Sequence, residues 1–240
     1  MESNHDAIEN KAVEFARKNK KKIAKRFTNS QVFLPDREPV SVFMAGSPGA
    51  GKTEASKSLL GKMEKVEKGR KVLRIDPDEL RLEFADYHGS NSWLFQPAVS
   101  ILVDRIHDLA LQQQQSFILD GTLSNYVKAE ENIDRSLRRN RQVQILYVYL
   151  TPEQAWEFVQ KREKKEGRKI LPERFVEQYF AARENVNNLK NRFRKDISVD
   201  LILKEIDGSR KLYKAGVDQI DHHIPENFTK TDIEKLIGMR

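Results

Sequence analysis

Apolar residues along this chain follow two rhythms, and their alternation outlines a fold. Residues 40–45, 71–75, 117–122, 144–150 and 199–203 are short runs dominated by Val, Ile, Leu, Phe and Tyr. Runs of this length without strict alternation predict strands buried on both faces of a parallel sheet. Between them the apolar positions recur at helical spacing. Ile8, Ala12, Phe15, Ala16, Ile23 and Phe27 predict one amphipathic helix over residues 1–30, and Val99, Val103, Ile106, Leu109 and Ala110 predict another beginning at Pro97. A charged helix is expected over 126–139, a helix from Pro152 to about Arg162, a long one from Pro172 to Asn191 with Phe175, Val176, Phe180, Val186 and Leu189 inside, and a short one over 231–239. Thr151-Pro152 reads as an N-cap followed by proline at the first helical position, and Asp76-Pro77 reads the same way. Residues 28–39 read as a linker, residues 82–96 as an irregular aromatic stretch, and Asp207-Gly208 as a hairpin turn between 199–203 and 211–214. Strand and helix taking turns predict an α/β, three-layer fold with a mainly parallel central sheet, preceded by a helical N-terminal extension. The division expected is 1–35 for the extension and 36–240 for the remainder.

The first strand runs into Gly46-Ser47-Pro48-Gly49-Ala50-Gly51-Lys52-Thr53, which fits the phosphate-binding loop G-x-x-x-x-G-K-[ST]. The motif has its required setting, a strand before it and a helix over 54–60 after it, with Ala55 and Leu59 four apart. Glycines at 46, 49 and 51 let successive backbone N–H groups face one anion, and the following helix points its positive end at the same place. Lys52 would set an ammonium between the β- and γ-phosphates, and the Thr53 hydroxyl would ligate Mg²⁺. These residues predict ATP or GTP as the cofactor, with Mg²⁺.

The 240 residues are 38% hydrophobic, enough for a core, and 33% charged. Lys and Arg number 43 against 36 Asp and Glu, a net charge of +7 that suits an anionic ligand without naming one. Cysteine is absent, which removes disulfides, thiol nucleophiles and cysteine zinc sites. No apolar run reaches the roughly 18 residues of a membrane helix, and the N-terminus is polar, so a cytoplasmic protein without a membrane partner is expected. Lys18, Lys20, Lys21, Lys22, Lys25 and Arg26 crowd the far half of the first helix. A solvated face is the reading preferred there, with an anion-contacting arm as the alternative.

Three further features carry chemistry. Asp76 is explained by capping, whereas Asp78, at the exit of a parallel strand, would face the crevice where ligands bind. Phe117-Ile-Leu-Asp120 is an apolar run ending in an acid, as in a Walker B segment. Residues 163–169 form a charged stretch broken by Gly167, readable as a solvated loop or as a lid that carries arginines onto phosphates.

Together these motifs resemble the zeta toxins, P-loop kinases of bacterial toxin–antitoxin systems. The resemblance runs from about Val40 to Leu212. It rests on the P-loop, on Ile75-Asp-x-Asp78, on Ile118-Leu-Asp-Gly-Thr122, and on Arg162 preceding Gly167-Arg168, then Lys169-Ile-Leu-Pro172 and a long helix. It implies transfer of phosphate from ATP or GTP to a sugar hydroxyl of UDP-N-acetylglucosamine or a related nucleotide sugar, with an antitoxin protein as a partner. It further implies Asp78 as general base, Lys52 and Thr53 on phosphate and metal, Arg162 and Arg168 on the transferring phosphoryl group, and Asp104, Asp120 and Thr122 on the acceptor. The family usually has Glu where Asp104 and Asp120 stand, and one methylene less points to a shifted or different acceptor. The alternatives are a P-loop kinase for another metabolite, a nucleotide or a nucleic-acid 5′-hydroxyl, or a nucleotide-binding switch that transfers phosphate only to water.

Overall fold

The computed structural model describes residues 2–66, 70–204 and 211–239, so the Asp-Gly turn expected within 206–210 lies outside the described residues. The chain runs α1 (Glu2–Phe27), β1 (Val40–Ala45), α2 (Lys52–Val66), β2 (Leu73–Ile75), α3 (Pro77–Arg81), α4 (Gln96–Gln112), β3 (Phe117–Leu119), α5 (Tyr126–Leu137), β4 (Gln142–Tyr149), α6 (Pro152–Glu166), α7 (Pro172–Phe193), β5 (Ile197–Lys204), β6 (Lys211–Lys214) and α8 (Lys230–Leu236). A single 3-10 turn at Ser92–Phe95 leads into α4.

The six strands lie in the order β2-β3-β1-β4-β5-β6. The first five are parallel and β6 closes one edge antiparallel to β5. From β1 the chain steps outward past β3 to β2, then returns across β1 to β4. That reversal leaves a crevice beside the carboxyl end of β1, where open α/β sheets bind their ligands. Five of the six β1 residues are buried, because helices cover both faces of the sheet; this is why the strand reads as an unbroken apolar run. Phe43 packs edge-to-face on Phe117 and on the fully buried His107. With both ring nitrogens dehydrated, burial depresses the His107 pKa to about 3, so the ring is neutral.

Helix α1 lies along α4 and buries Ala12, Ala16, Ile23 and Ala24 in the common core, with Phe15 edge-on against Phe84. Lys18, Lys21, Lys22, Lys25 and Arg26 face solvent. The helix is further tied to the irregular stretch by ion pairs from Lys11 to Asp86 (2.8 Å) and from Arg26 to Glu83 (2.5 Å). A second partner explains why α4 departs from a single apolar stripe. Ala98, Leu102 and Leu111 are buried beside Val99, Ile106 and Ala110, since α4 has α1 on one side and β2 on another.

Two helix starts and one helix end refine the reading from sequence. Asp76 caps α3, accepting from the Asp78 N–H at 2.8 Å, as expected. Thr151 stands at the N-cap of α6 without a side-chain bond to it, and Pro152 alone marks that start. Helix α6 also runs four residues past Arg162 and ends only at Gly167, which takes the left-handed conformation at φ 69°. Arg162 is therefore helical, and Arg168 follows the helix directly.

Candidate active site

The phosphate-binding loop is shaped by contacts far along the chain. Gly49 has φ 78°, and a Cβ there would lie 2.0 Å from the carbonyl oxygen of Ala155 in α6. Gly46 has φ 132°, and a Cβ there would lie 2.3 Å from the carbonyl oxygen of Val148 in β4. Neither position admits any residue but glycine. Gly46 N–H donates to Thr122 O at 3.3 Å, which fastens the loop to the exit of β3. Lys204, at the end of β5, donates to Glu54 at 2.7 Å and reaches Gly51 O at 3.5 Å. Lys52, the first residue of α2, folds back on its own loop, donating to Ser47 O at 2.6 Å and Gly46 O at 3.0 Å. Burial brings its pKa down to about 8, a shift that Asp120 and Asp78 oppose and that Arg168 and Arg162 reinforce. The ammonium is thus poorly solvated where it stands, and a phosphate would compensate it better than two carbonyls do.

Three guanidinium groups converge on Asp78 from two sides of the crevice. Arg81, one turn along α3, holds Asp78 Oδ1, while Arg162 Nη2 at 3.1 Å and Arg168 Nη1 both hold Oδ2. Burial raises the Asp78 pKa, but Arg168, Arg81 and Arg162 outweigh it and keep the carboxyl below the ordinary range. The arginines differ in support. Arg81 is almost wholly buried and donates its other terminal nitrogen to Gln96 Oε1 at 2.7 Å. The Arg162 side chain is 40% exposed and shares itself with Glu166 at 2.6 Å. Arg168 is intermediate in exposure, and its buried Nε has no hydrogen-bond partner among the described residues. The segment that follows α6 is steadied by Ser92, whose hydroxyl donates to Lys169 O at 3.3 Å.

The other acids named from the sequence sit elsewhere. Asp120 is buried behind α2, where it accepts from Ser56 Oγ at 2.8 Å and from Arg74 Nη2 at 2.5 Å. The same Ser56 hydroxyl lies 3.0 Å from Thr53 O and shares its one proton between the two acceptors, and as a residue of α2 it links Asp120 to the loop's helix. Asp104 pairs with Lys128 at 2.8 Å and Arg135 at 3.5 Å, both on α5, and makes no contact with the Asp78 cluster. Thr122 and Ser124 share a hydrogen bond of 2.8 Å on the loop leaving β3. That loop takes a left-handed residue at Leu123, φ 58°, whose carbonyl is held by Asn185 at 3.0 Å.

Two arginines escaped the sequence reading. Arg74 is a buried cation between Asp76 (2.5 Å), Asp120 (2.5 Å) and Glu79 (2.7 Å). Its signal was a single charge inside the apolar stretch Val72-Leu-Arg-Ile75. Arg81 had a spacing signal, since positions i and i+3 share a helix face and Asp78-x-x-Arg81 fits it.

Comparisons with known proteins bear on the family and the fold. The zeta toxin family model matches residues 23–218. Among solved structures, the chain is similar to one from the PezAT chromosomal toxin–antitoxin system of Streptococcus pneumoniae, with TM-score 0.61 and 14% identity, over 92% of this chain and 91% of that one. It is also similar to a chain of the AvrRxo1-ORF1:-ORF2 complex with ATP, with TM-score 0.59 and 17% identity, over 90% of this chain and 70% of that one. A chain of the Pnkp1/Rnl/Hen1 RNA repair complex matches with TM-score 0.51 and 15% identity, over 65% of this chain and 47% of that one. Among curated proteins none matches the sequence. The likenesses give the fold, that of a P-loop kinase with a mostly parallel six-stranded sheet, and the family match covers most of the length: this chain belongs to the zeta toxin family.

Proposed function

We propose that this chain is a kinase that uses ATP or GTP to phosphorylate a hydroxyl of a UDP-activated amino sugar such as UDP-N-acetylglucosamine. The observation that carries the reading is the Asp78 carboxylate, held ionised by Arg168, Arg81 and Arg162 on the strand-end side that also holds the phosphate loop. Phosphoryl transfer asks for positioning, positive charge around the γ-phosphate and a carboxylate that orients the acceptor hydroxyl. In this reading Gly46 to Thr53 hold the triphosphate, Lys52 leaves its carbonyls for the β- and γ-oxygens, and Arg162 and Arg168 turn from Asp78 to the transferring group.

Magnesium fits the oxygen chemistry of the loop. The ion takes few protein ligands, keeping waters and phosphate oxygens, and Thr53 stands in the first turn of α2 with Asp120 connected behind it through Ser56. When bound it would neutralise charge developing on the β- and γ-phosphates. For the acceptor, Thr122 and Ser124 offer a hydroxyl pair on a fixed loop. Asp120, at the root of that loop, is held by Ser56 and Arg74, and Asp104 is paired with Lys128 and Arg135 on α5. The family membership and the likeness to a structure solved with ATP support the nucleotide, and the likeness to a chain of a toxin–antitoxin system supports an antitoxin protein as a partner.

The test is transfer from labelled ATP to UDP-sugars, nucleoside monophosphates and 5′-hydroxyl oligonucleotides in parallel. Label on the UDP-amino sugar, reduced roughly 100-fold or more in Asp78→Asn with ATP binding retained, is the expected result. Label on oligonucleotides alone would leave a kinase with the wrong acceptor assigned. Release of inorganic phosphate with every acceptor unlabelled would end the kinase reading.

A further inference from the structure

The two oxygens of Asp78 are not equivalent. Oδ1 is taken by Arg81, which belongs to the same short helix, is nearly inaccessible to solvent, and is itself fixed by Gln96 at the start of α4 and, more loosely, by Pro77 O at 3.4 Å. Oδ2 is taken by Arg162 and Arg168, which come from α6 and the residues after it, are more exposed, and are the groups that the triphosphate would draw away. One clamp is thus part of the scaffold and the other part of the machinery that changes during the reaction.

We infer that Arg81 is the positioning residue of the reaction: it pins Oδ1, fixes the plane of the Asp78 carboxylate, and leaves Oδ2 as the oxygen that accepts the substrate's proton. The inference rests on the reading of Asp78 as the base. In the step it describes, the acceptor oxygen forms a bond to the γ-phosphorus, the bond from that phosphorus to the β–γ bridging oxygen breaks with its electron pair leaving on the nucleoside diphosphate, and the acceptor's proton passes to Oδ2. Solvent takes the proton after product leaves. Pinning one oxygen keeps the other in line with the hydroxyl after Arg162 and Arg168 have moved, when nothing else described here would hold the carboxylate in place. Arg81 also keeps a charge beside the base at that stage. Asp76 on the cap of the same helix and Lys52 across the crevice, of opposite sign to each other, also act on Asp78, and Glu166 stands behind Arg162.

The experiment follows the titration of Asp78 itself, by carbon NMR of protein labelled at the Asp carboxyl carbon, with the signal identified by its loss in Asp78→Asn. The pH dependence of kcat is measured on the same samples. In Arg81→Gln the Asp78 midpoint should rise by about one unit or more, because the charge nearest Oδ1 is gone. The acid limb of kcat should move up with it, the plateau should fall about tenfold, and the KM for ATP should stay within about twofold, since Arg81 is engaged by Asp78 and Gln96 and has no part in the phosphate loop. Arg81→Lys should restore the acid limb but not the plateau, as an ammonium replaces the charge without the fork. If Arg81→Gln fails to fold, by thermal melting, Gln96→Leu releases the outer end of the same guanidinium and should lower the plateau in the same direction. An unmoved midpoint and an unmoved acid limb, with Asp78→Asn still inactive, would overturn the role given to Arg81 and leave the base in place. Full turnover in Asp78→Asn would overturn the base and this inference together.

Discussion

The phosphate loop and the arginine cluster face the same crevice but are built from different materials. The loop is backbone: its shape comes from glycines seated against Val148 and Ala155. The cluster is charge, with three guanidinium groups around one carboxylate, two of them on a helix end and the residues beyond it. Steric shape survives changes of salt and pH, whereas ion pairs at partly exposed sites do not. The shape of the half that binds nucleotide should therefore be preformed and insensitive to conditions, with Lys52 as its one titrating contact, and the half that transfers phosphate should rearrange and be sensitive to them.

Four measurements press on that contrast. The largest effect is expected on the charged half. Arg168→Ala should lower kcat roughly 1,000-fold with ATP binding nearly intact, and Arg162→Ala less, because Arg162 is more exposed and divided with Glu166. Near-normal rates in both, by steady-state kinetics, would make residues 162–168 an ordinary solvated stretch. On the backbone half, Gly49→Ala should cost about 3 kcal/mol or more in a denaturant melt and remove nucleotide binding, since the Cβ has no room and the backbone is left-handed. A stable, nucleotide-binding Gly49→Ala would mean that the loop is plastic. Asp76→Asn keeps the cap and removes a charge that Arg74 favours but that burial and Asp78 disfavour, so stability within about 1 kcal/mol of the parent with turnover preserved is expected. A collapse of kcat would place Asp76 in the chemistry.

The smallest effect is a proton. Lys52 has a pKa near 8 in the free protein, and phosphates would raise it, so at pH 8 nucleotide binding should take up about half a proton, seen as a dependence of calorimetric binding heat on the buffer's ionisation enthalpy. Affinity should weaken as pH rises above 8. The sign for folding is the opposite of a stabilising ion pair. The unfolded lysine holds its proton up to about 10.5 and the folded one only to about 8, so Lys52 favours the folded state progressively as pH rises between them. No proton uptake at pH 8 would mean that Lys52 is already fully charged.

What the sequence revealed follows the same division. Backbone features were legible because they leave fixed marks: unbroken apolar runs for strands buried on both faces, proline at the starts of α3, α6 and α7, and a glycine pattern with only one workable geometry. Charge features were legible only where the family resemblance named them, at Asp78, Arg162 and Arg168. The tail of α6 from Glu163 to Glu166 has no apolar period, so nothing showed that the helix continues until its stop at Gly167. Asp104 and Asp120 are acids on opposite sides of β3 in the chain, and only the fold decides that one meets α5 and the other Arg74. Arg74 and Arg81 were two among 43 basic residues. Their burial depends on which strand edge and which helix lie over them, which no local pattern records.

The contact between Lys204 and the loop carbonyl at Gly51 spans 153 residues, and it bears on the order in which the protein is made. On a ribosome adding about 5–20 residues per second, the loop emerges roughly 8–30 s before the strand that carries Lys204. The seats for Gly46 and Gly49, in β4 and α6, also arrive late. A nascent chain therefore carries its nucleotide motif for most of its synthesis as an unshaped glycine stretch. ATP, which stabilises only the finished geometry, gives no help before β1, β4 and β5 have paired. The cell meets a capable site only once β5 has been made, and any fragment ending before β5 should leave the ribosome without one.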